Sequence, residues 1–158
     1  MCVLSAQTIR NYCMSDKPLI SPFNERSLSF GKSYGLSAAG YDIRLARTIY
    51  LTPGRKKLAH ATEYFDLPHH ITGLLINKST IARTFLDSSR STNMEPGWRG
   101  FLTLEITNDS DHYLKIPAGS PIVMIRFDFL DEPTEQPYGD FDKYQNQPAR
   151  PVPPILVR

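Results

Sequence analysis

Glu95-Pro96-Gly97-Trp98-Arg99-Gly100-Phe101-Leu102-Thr103-Leu104-Glu105-Ile106-Thr107-Asn108 reads as a tight turn running into a strand. Side chains along a strand alternate between its faces. Phe101, Thr103, Glu105 and Thr107 therefore share one face, and Leu102, Leu104 and Ile106 the other. If the second face is core, a carboxylate stands beside an aromatic ring and two threonines. An outward-facing glutamate on a half-buried strand fits the same pattern, so alternation alone leaves the role of Glu105 open.

The same β signals recur on either side of this stretch. Tyr41-Asp42-Ile43-Arg44-Leu45 alternates, as does Thr48-Ile49-Tyr50-Leu51 before the Pro53-Gly54 turn. Ile71 to Ile76 reads as a continuous, fully buried strand, and Ile122 to Phe129 follows the Pro117-Ala118-Gly119 turn. Ser5 is placed to cap a short helix carrying Ile9, Tyr12 and Cys13, which Pro18 would end. Many short strands with turn residues between them predict a mainly β chain, a sandwich or distorted barrel, in a single domain over residues 1–158. Residues 1–18 form its helical start. Six of the 13 prolines fall after residue 130, so the tail, residues 136–158, cannot build a sheet and reads equally as an extended arm, a flexible lid or a disordered segment.

Composition narrows the function classes. Hydrophobic residues make up 41% and charged residues 22%, which is ordinary for a soluble globular domain. A formal charge of +2 without a dense basic stripe argues against a nucleic-acid polymer as partner. Arg55-Lys56-Lys57, the one basic cluster, reads as a solvated turn. No apolar run approaches the roughly 18–20 residues of a membrane span, and the start lacks a secretory pattern. Two cysteines, Cys2 and Cys13, fit free thiols and a cytoplasmic setting.

Lys78-Ser79-Thr80-Ile81-Ala82-Arg83 gathers a cation, two hydroxyls and a guanidinium after an apolar run. With Ser79 capping a helical turn, Ser79 and Arg83 stand at i and i+4 and face one small target. Lys78 and the first N–H groups would then favour a phosphate. An exposed cap followed by a solvated arginine explains the six residues as well.

Four blocks in order settle the reading. They are Ser33-Tyr34-Gly35-Leu36-Ser37-Ala38-Ala39-Gly40-Tyr41-Asp42-Ile43-Arg44-Leu45, the Lys78–Arg83 string, Glu95–Gly100 with Leu102–Glu105, and Tyr138 with Lys143-Tyr144-Gln145-Asn146-Gln147. Together they resemble the dCTP deaminase family, which shares the trimeric dUTPase fold. The resemblance implies a distorted, jelly-roll-like β-barrel with a short N-terminal helix and a Pro-rich C-terminal lid. It implies deamination of dCTP to dUTP and ammonia, with Glu105 as general base and proton shuttle. Ser79 and Arg83 match residues that hold the water and keep the glutamate ionised. Lys78 and Thr80 match positions on the triphosphate, Thr103 and Leu104 the base site, and Glu95 the deoxyribose 3′-hydroxyl. Tyr138, Lys143 and Gln147 match tail residues over the nucleotide. The family further implies a homotrimer with intersubunit sites and Mg²⁺ carried by the triphosphate.

A zinc mechanism finds no support in the spacing: the two cysteines are not a ligand pair and His69-His70 are adjacent. The chain departs from the family at residues 84–94, which lack the glycine that usually follows the Ala-Arg pair. It also carries Met124 where a glutamine is common, and is shortened between Leu45 and Leu58. Two alternatives remain: a dUTP diphosphatase or bifunctional enzyme using Glu95, and a non-catalytic nucleotide-binding protein on the same fold.

Overall fold

The computed structural model describes residues 2–88, 90 and 93–156. Ser89, Ser91 and Thr92 of the atypical loop, and Val157 and Arg158 of the tail, lie outside the described residues. In chain order the first elements are β1 (Cys2–Val3), α1 (Ala6–Cys13), β2 (Ile20–Ser21), β3 (Ser27–Ser29), β4 (Lys32–Ser37) and β5 (Gly40–Arg44). There follow β6 (Ile49–Leu51), β7 (Lys56–Asp66), β8 (Ile71–Asn77), α2 (Ser79–Ala82) and β9 (Leu86–Asp87). The last three are β10 (Arg99–Asn108), β11 (Leu114–Ile116) and β12 (Pro121–Phe129).

One sheet is organised on β12, which pairs with β8, with β5 and, at its end, with β1; β4 and β3 extend it beyond β5. A second sheet runs β2-β7-β10-β9, and β6 pairs with β11 in a small ribbon. All pairings between these strands are antiparallel. The sheets face each other without closing into a barrel. Tyr41 and Ile43 from β5, Phe65 from β7, Leu104 from β10 and Phe127 from β12 are fully buried between them. No helix of the described residues is long and apolar enough to cross a membrane.

Local chemistry explains most elements. Ser5 caps α1 by accepting the Thr8 N–H, and Ile9 and Cys13 face the core. The helix stops at Cys13, before Pro18 is reached. Burial pushes the Cys13 thiol up to about 12, so it stays a neutral core group. The run from Ile71 to Ile76 is half-buried rather than fully buried. Ile71 and Leu75 point inward while Leu74 is 39% exposed, so one chain accounts for only one face of β8.

The longest strand, β7, carries a core face of Ala59, Ala61, Glu63 and Phe65. Lys56 and Lys57, read as a solvated turn, are its exposed first residues. Glu63 is wholly buried and receives both the Arg44 Nε–H at 2.8 Å and the Arg44 backbone N–H at 3.0 Å. The guanidinium also stacks 4.5 Å from the centre of the Tyr34 ring. This pair ties β5 to β7 across the two sheets. Burial raises the Glu63 carboxyl above its ordinary value, against the opposing pull of Arg44. A carboxyl so raised stabilises the fold below its unfolded value and loses that contribution as pH climbs through the folded one. Acid unfolding is therefore not driven by this group.

α2 is a single turn whose N-cap is Lys78, with no side-chain capping bond; Ser79 is its first helical residue, not its cap. Just beyond, Phe85 takes φ 57, the left-handed conformation that a glycine occupies freely. Its ring is 68% exposed and returns little packing energy for the strain.

Two stability measurements check this picture. Glu63→Ala leaves the Arg44 charge unpaired and should cost about 3–5 kcal/mol in denaturant unfolding, with Glu63→Gln costing less. Equal losses would show that the hydrogen bonds to Arg44 do not matter. Phe85→Gly should raise stability by about 1 kcal/mol by releasing left-handed strain; a loss would contradict it.

Candidate functional site

Glu95 opens the turn that starts the site, with its carbonyl accepting the Trp98 N–H. Gly97 (φ 85) and Gly100 (φ 145) give that turn a backbone other residues resist. A Cβ on Gly100 would lie 2.5 Å from the Gln147 nitrogen, so the missing side chain is what lets the tail run alongside. Gly100 and Gln147 form a parallel bridge, and the Phe101 N–H donates to the Gln147 carbonyl. Trp98 Nε1 donates to the Tyr144 carbonyl at 2.7 Å, and the Arg99 backbone N–H to Gln145 Oε1 at 2.8 Å. The Arg99 guanidinium reaches Asn146 and Asp140. Tyr138 donates its N–H to the Pro96 carbonyl and its hydroxyl accepts from the Tyr144 N–H. Burial raises the Tyr138 phenol above its ordinary value, keeping it neutral.

β10 then presents the alternation read from sequence. Leu102, Leu104 and Ile106 are buried, while Phe101 and Thr103 are half-buried and Glu105 is exposed. Thr107 departs from it, being buried at the pairing with β9. Pairing with β7 sets Glu105 opposite Leu58, Thr103 opposite His60 and Thr107 opposite Lys56. A long lysine diagonal to a carboxylate is within its reach on an antiparallel pair.

Above this face lies an open pocket of about 820 Å³, towards the large end of the range for ligand sites. It brings together Glu95, Thr103, Glu105, Tyr138 and Gln147. It is also lined by Lys56, Lys57 and Arg90, whose guanidinium pairs with Asp87 at 3.0 Å, and by Val152 and Pro154 from the tail. Sequence reasoning missed these five. The signal for the lysines was present, since Lys56 and Thr107 sit at paired strand ends, but it needs the register.

The other expected residues lie elsewhere. Lys78 is 8% exposed and its ammonium pairs with Asp42 Oδ2 at 2.5 Å and Ser33 Oγ at 3.1 Å. Ser79 and Thr80 on α2 and Arg83 at its C-cap are exposed and do not line the pocket of Glu105. An enclosed Glu105 within reach of Arg83 is therefore not formed inside one chain. Leu104 is wholly buried, so its side chain serves the core, and Lys143 is exposed. Among the described residues no three of His, Cys, Asp and Glu converge as a metal site.

The arrangement suits water-dependent chemistry on a polar ring: a carboxylate, a hydroxyl, nearby cations and a tail that shields one side. Comparison with known proteins agrees. A family model described as dCTP deaminase-like matches residues 37–130. The dCTP deaminase of Gemmatimonas aurantiaca is 33% identical over 87% of this chain and 91% of its own length. That of Acidobacterium capsulatum is 31% identical over 98% and 100%. Among solved structures, the 2′-deoxycytidine 5′-triphosphate deaminase of Agrobacterium tumefaciens superposes with TM-score 0.64 at 18% identity, over 80% of this chain and 47% of that one. The EIAV dUTPase superposes with TM-score 0.55 at 18% identity, over 67% and 88%. These structures share the fold, and the family match extends across most of the β framework that carries Glu105. The chain belongs to the dCTP deaminase-like family.

Proposed function

We propose that the protein hydrolyses dCTP to dUTP and ammonia, with Glu105 as general base. The observation that carries this reading is the Glu105 carboxyl on the open face of β10, in one pocket with Thr103, Glu95 and the docked tail. Water adds to C4 of the cytosine ring as Glu105 takes its proton. The carboxyl then passes that proton to the amino group, the proton of the added hydroxyl ends on N3, the bond from C4 to the exocyclic nitrogen breaks, and ammonia leaves a C4 carbonyl. General-base catalysis of this kind is typically worth about 10²–10⁴-fold, and positioning supplies the remainder. Mg²⁺ would ride on the triphosphate and neutralise its charge.

Ser79 and Arg83 reach the reaction from a neighbouring copy in this reading. They stand on the exposed side of α2, and the adjoining outer face of β8 and β12 exposes Leu74 beside Ile76, opposite Arg126 and Met124. A homotrimer that covers this apolar face would enclose Glu105 and bring it a guanidinium. Lys78, anchored on Asp42, sets where Ser79 and Thr80 meet the triphosphate. Glu95, in the same pocket and contacted by Asn93, supports a second reading in which dUTP is hydrolysed at the α-phosphate.

Incubation with dCTP, dUTP and Mg²⁺ followed by product separation tests the assignment: ammonia plus dUTP supports it, and dUMP from either nucleotide supports the second. Glu105→Gln should abolish ammonia release and keep dCTP binding within about tenfold, since shape is retained; full activity would refute the role. Arg83→Ala should raise KM and lower kcat together. Deleting residues 136–158 should raise KM by removing the cover that Tyr138 to Gln147 provide, and a lowered KM would contradict that role.

A further inference from the structure

Thr103 stands two residues before Glu105 on the site face, and its hydroxyl has both of its roles filled. It donates to Gln147 Oε1 at 2.7 Å and accepts the Val152 backbone N–H at 3.1 Å. The second bond runs in one direction only, because a backbone N–H cannot accept. A hydroxyl has a single proton, and here the Gln147 carbonyl takes it. Towards Val152 the oxygen therefore offers lone pairs alone. Val152 lines the same pocket as Glu105, so the position that Thr103 recognises by accepting lies on the cavity side of the strand.

The two parts of the tail are held unequally. Up to Gln147, main-chain bonds at Pro96, Arg99 and Phe101 fasten it beside the turn. Beyond Pro148, the Val152 N–H reaches the Thr103 hydroxyl and the Ile155 N–H reaches the Tyr144 hydroxyl. Pro148, Pro151, Pro153 and Pro154 have no N–H to add. The distal segment can leave while the proximal part, with Gln147, stays to orient Thr103.

We propose that Thr103 is a specificity-determining residue that selects a pyrimidine carrying an amino group, and that the Val152 N–H holds that amino group's place in the tail-docked chain. The inference rests on the dCTP reading and deepens it. The cytosine 4-amino group is a donor and replaces one N–H···O bond by another. Uracil presents a carbonyl oxygen at that position, which would meet the Thr103 lone pairs acceptor to acceptor. Along a strand, residues i and i+2 are about 7 Å apart, so a group recognised at Thr103 lies beside the Glu105 carboxyl that acts on its carbon. Substrate displaces the distal tail, and product, unable to keep the bond, yields to it.

The test is equilibrium binding of dCTP and dUTP by calorimetry in a Glu105→Gln background, where turnover does not interfere. The ratio of the two affinities is the readout, because displacement of the tail is common to both ligands and cancels. The ratio should favour dCTP, fall about tenfold on adding Thr103→Val, and return with Thr103→Ser, which restores the hydroxyl. Truncation after Arg150 should tighten both nucleotides by the same factor and leave the ratio unchanged. A ratio indifferent to Thr103→Val overturns the selector. A truncation that changes neither affinity overturns the place-holding role of Val152. A Thr103-dependent preference for dCTP in a protein that releases no ammonia would end the deaminase reading and sustain this one.

Discussion

The antiparallel pairing of β7 with β10 is the constraint on which the rest depends. It fixes which residues of each strand look into the core and which look out. On β10 the inward set is Leu102, Leu104 and Ile106, and the outward set includes Phe101, Thr103 and Glu105. A slip of one residue would bury the carboxylate and expose three large apolar side chains. The core therefore enforces the placement of Glu105 on the open face. The same pairing brings Lys56 and Leu58 of β7 to the rim of the Glu105 pocket.

Two buried ion pairs hold this sheet and α2 against the β5 sheet. Arg44 and Glu63 cross between β5 and β7, and Asp42, two residues earlier, holds Lys78 at the start of α2. Burial raises both the Asp42 and Glu63 carboxyls, each opposed by its cation. Such pairs add little net stability over apolar packing, but an unpaired member is costly. Their effect is therefore positional: Lys78 is occupied in fixing α2, which leaves Ser79, Thr80 and Arg83 displayed on the surface.

Much of this was legible in the residues, and the exceptions have physical causes. The strands around Tyr41–Leu45, Phe101–Asn108 and Ile122–Phe129 announce themselves by apolar alternation or runs. β7 does not, because its core face holds two alanines, a glutamate and a single large apolar residue, Phe65, and a buried acid looks like a polar residue until its arginine is in place. The outward face of β8 reads as core because an apolar residue looks the same whether its own chain covers it or not. Ser79 looked like a cap by residue type, yet Lys78 supplies the cap through its backbone conformation alone. The outward direction of Glu105 was legible by period-two counting, and its role was not. The tail's docking was not, since it depends on the space left at Gly100 and on amide side chains 46 residues or so away along the chain. Arg83 does not line the Glu105 pocket of this chain, and its i, i+4 spacing from Ser79 gave no sign of that.

In the proposed reaction water, activated beside Glu105, attacks C4 of the cytosine ring. Turnover of dCTP in H₂¹⁸O with mass spectrometry of the products tests it most directly. One ¹⁸O atom at the uracil O4 of dUTP, with unlabelled phosphates, is the expected result. Label confined to phosphate oxygens, or nucleotide recovered as dCTP after prolonged incubation, would contradict it.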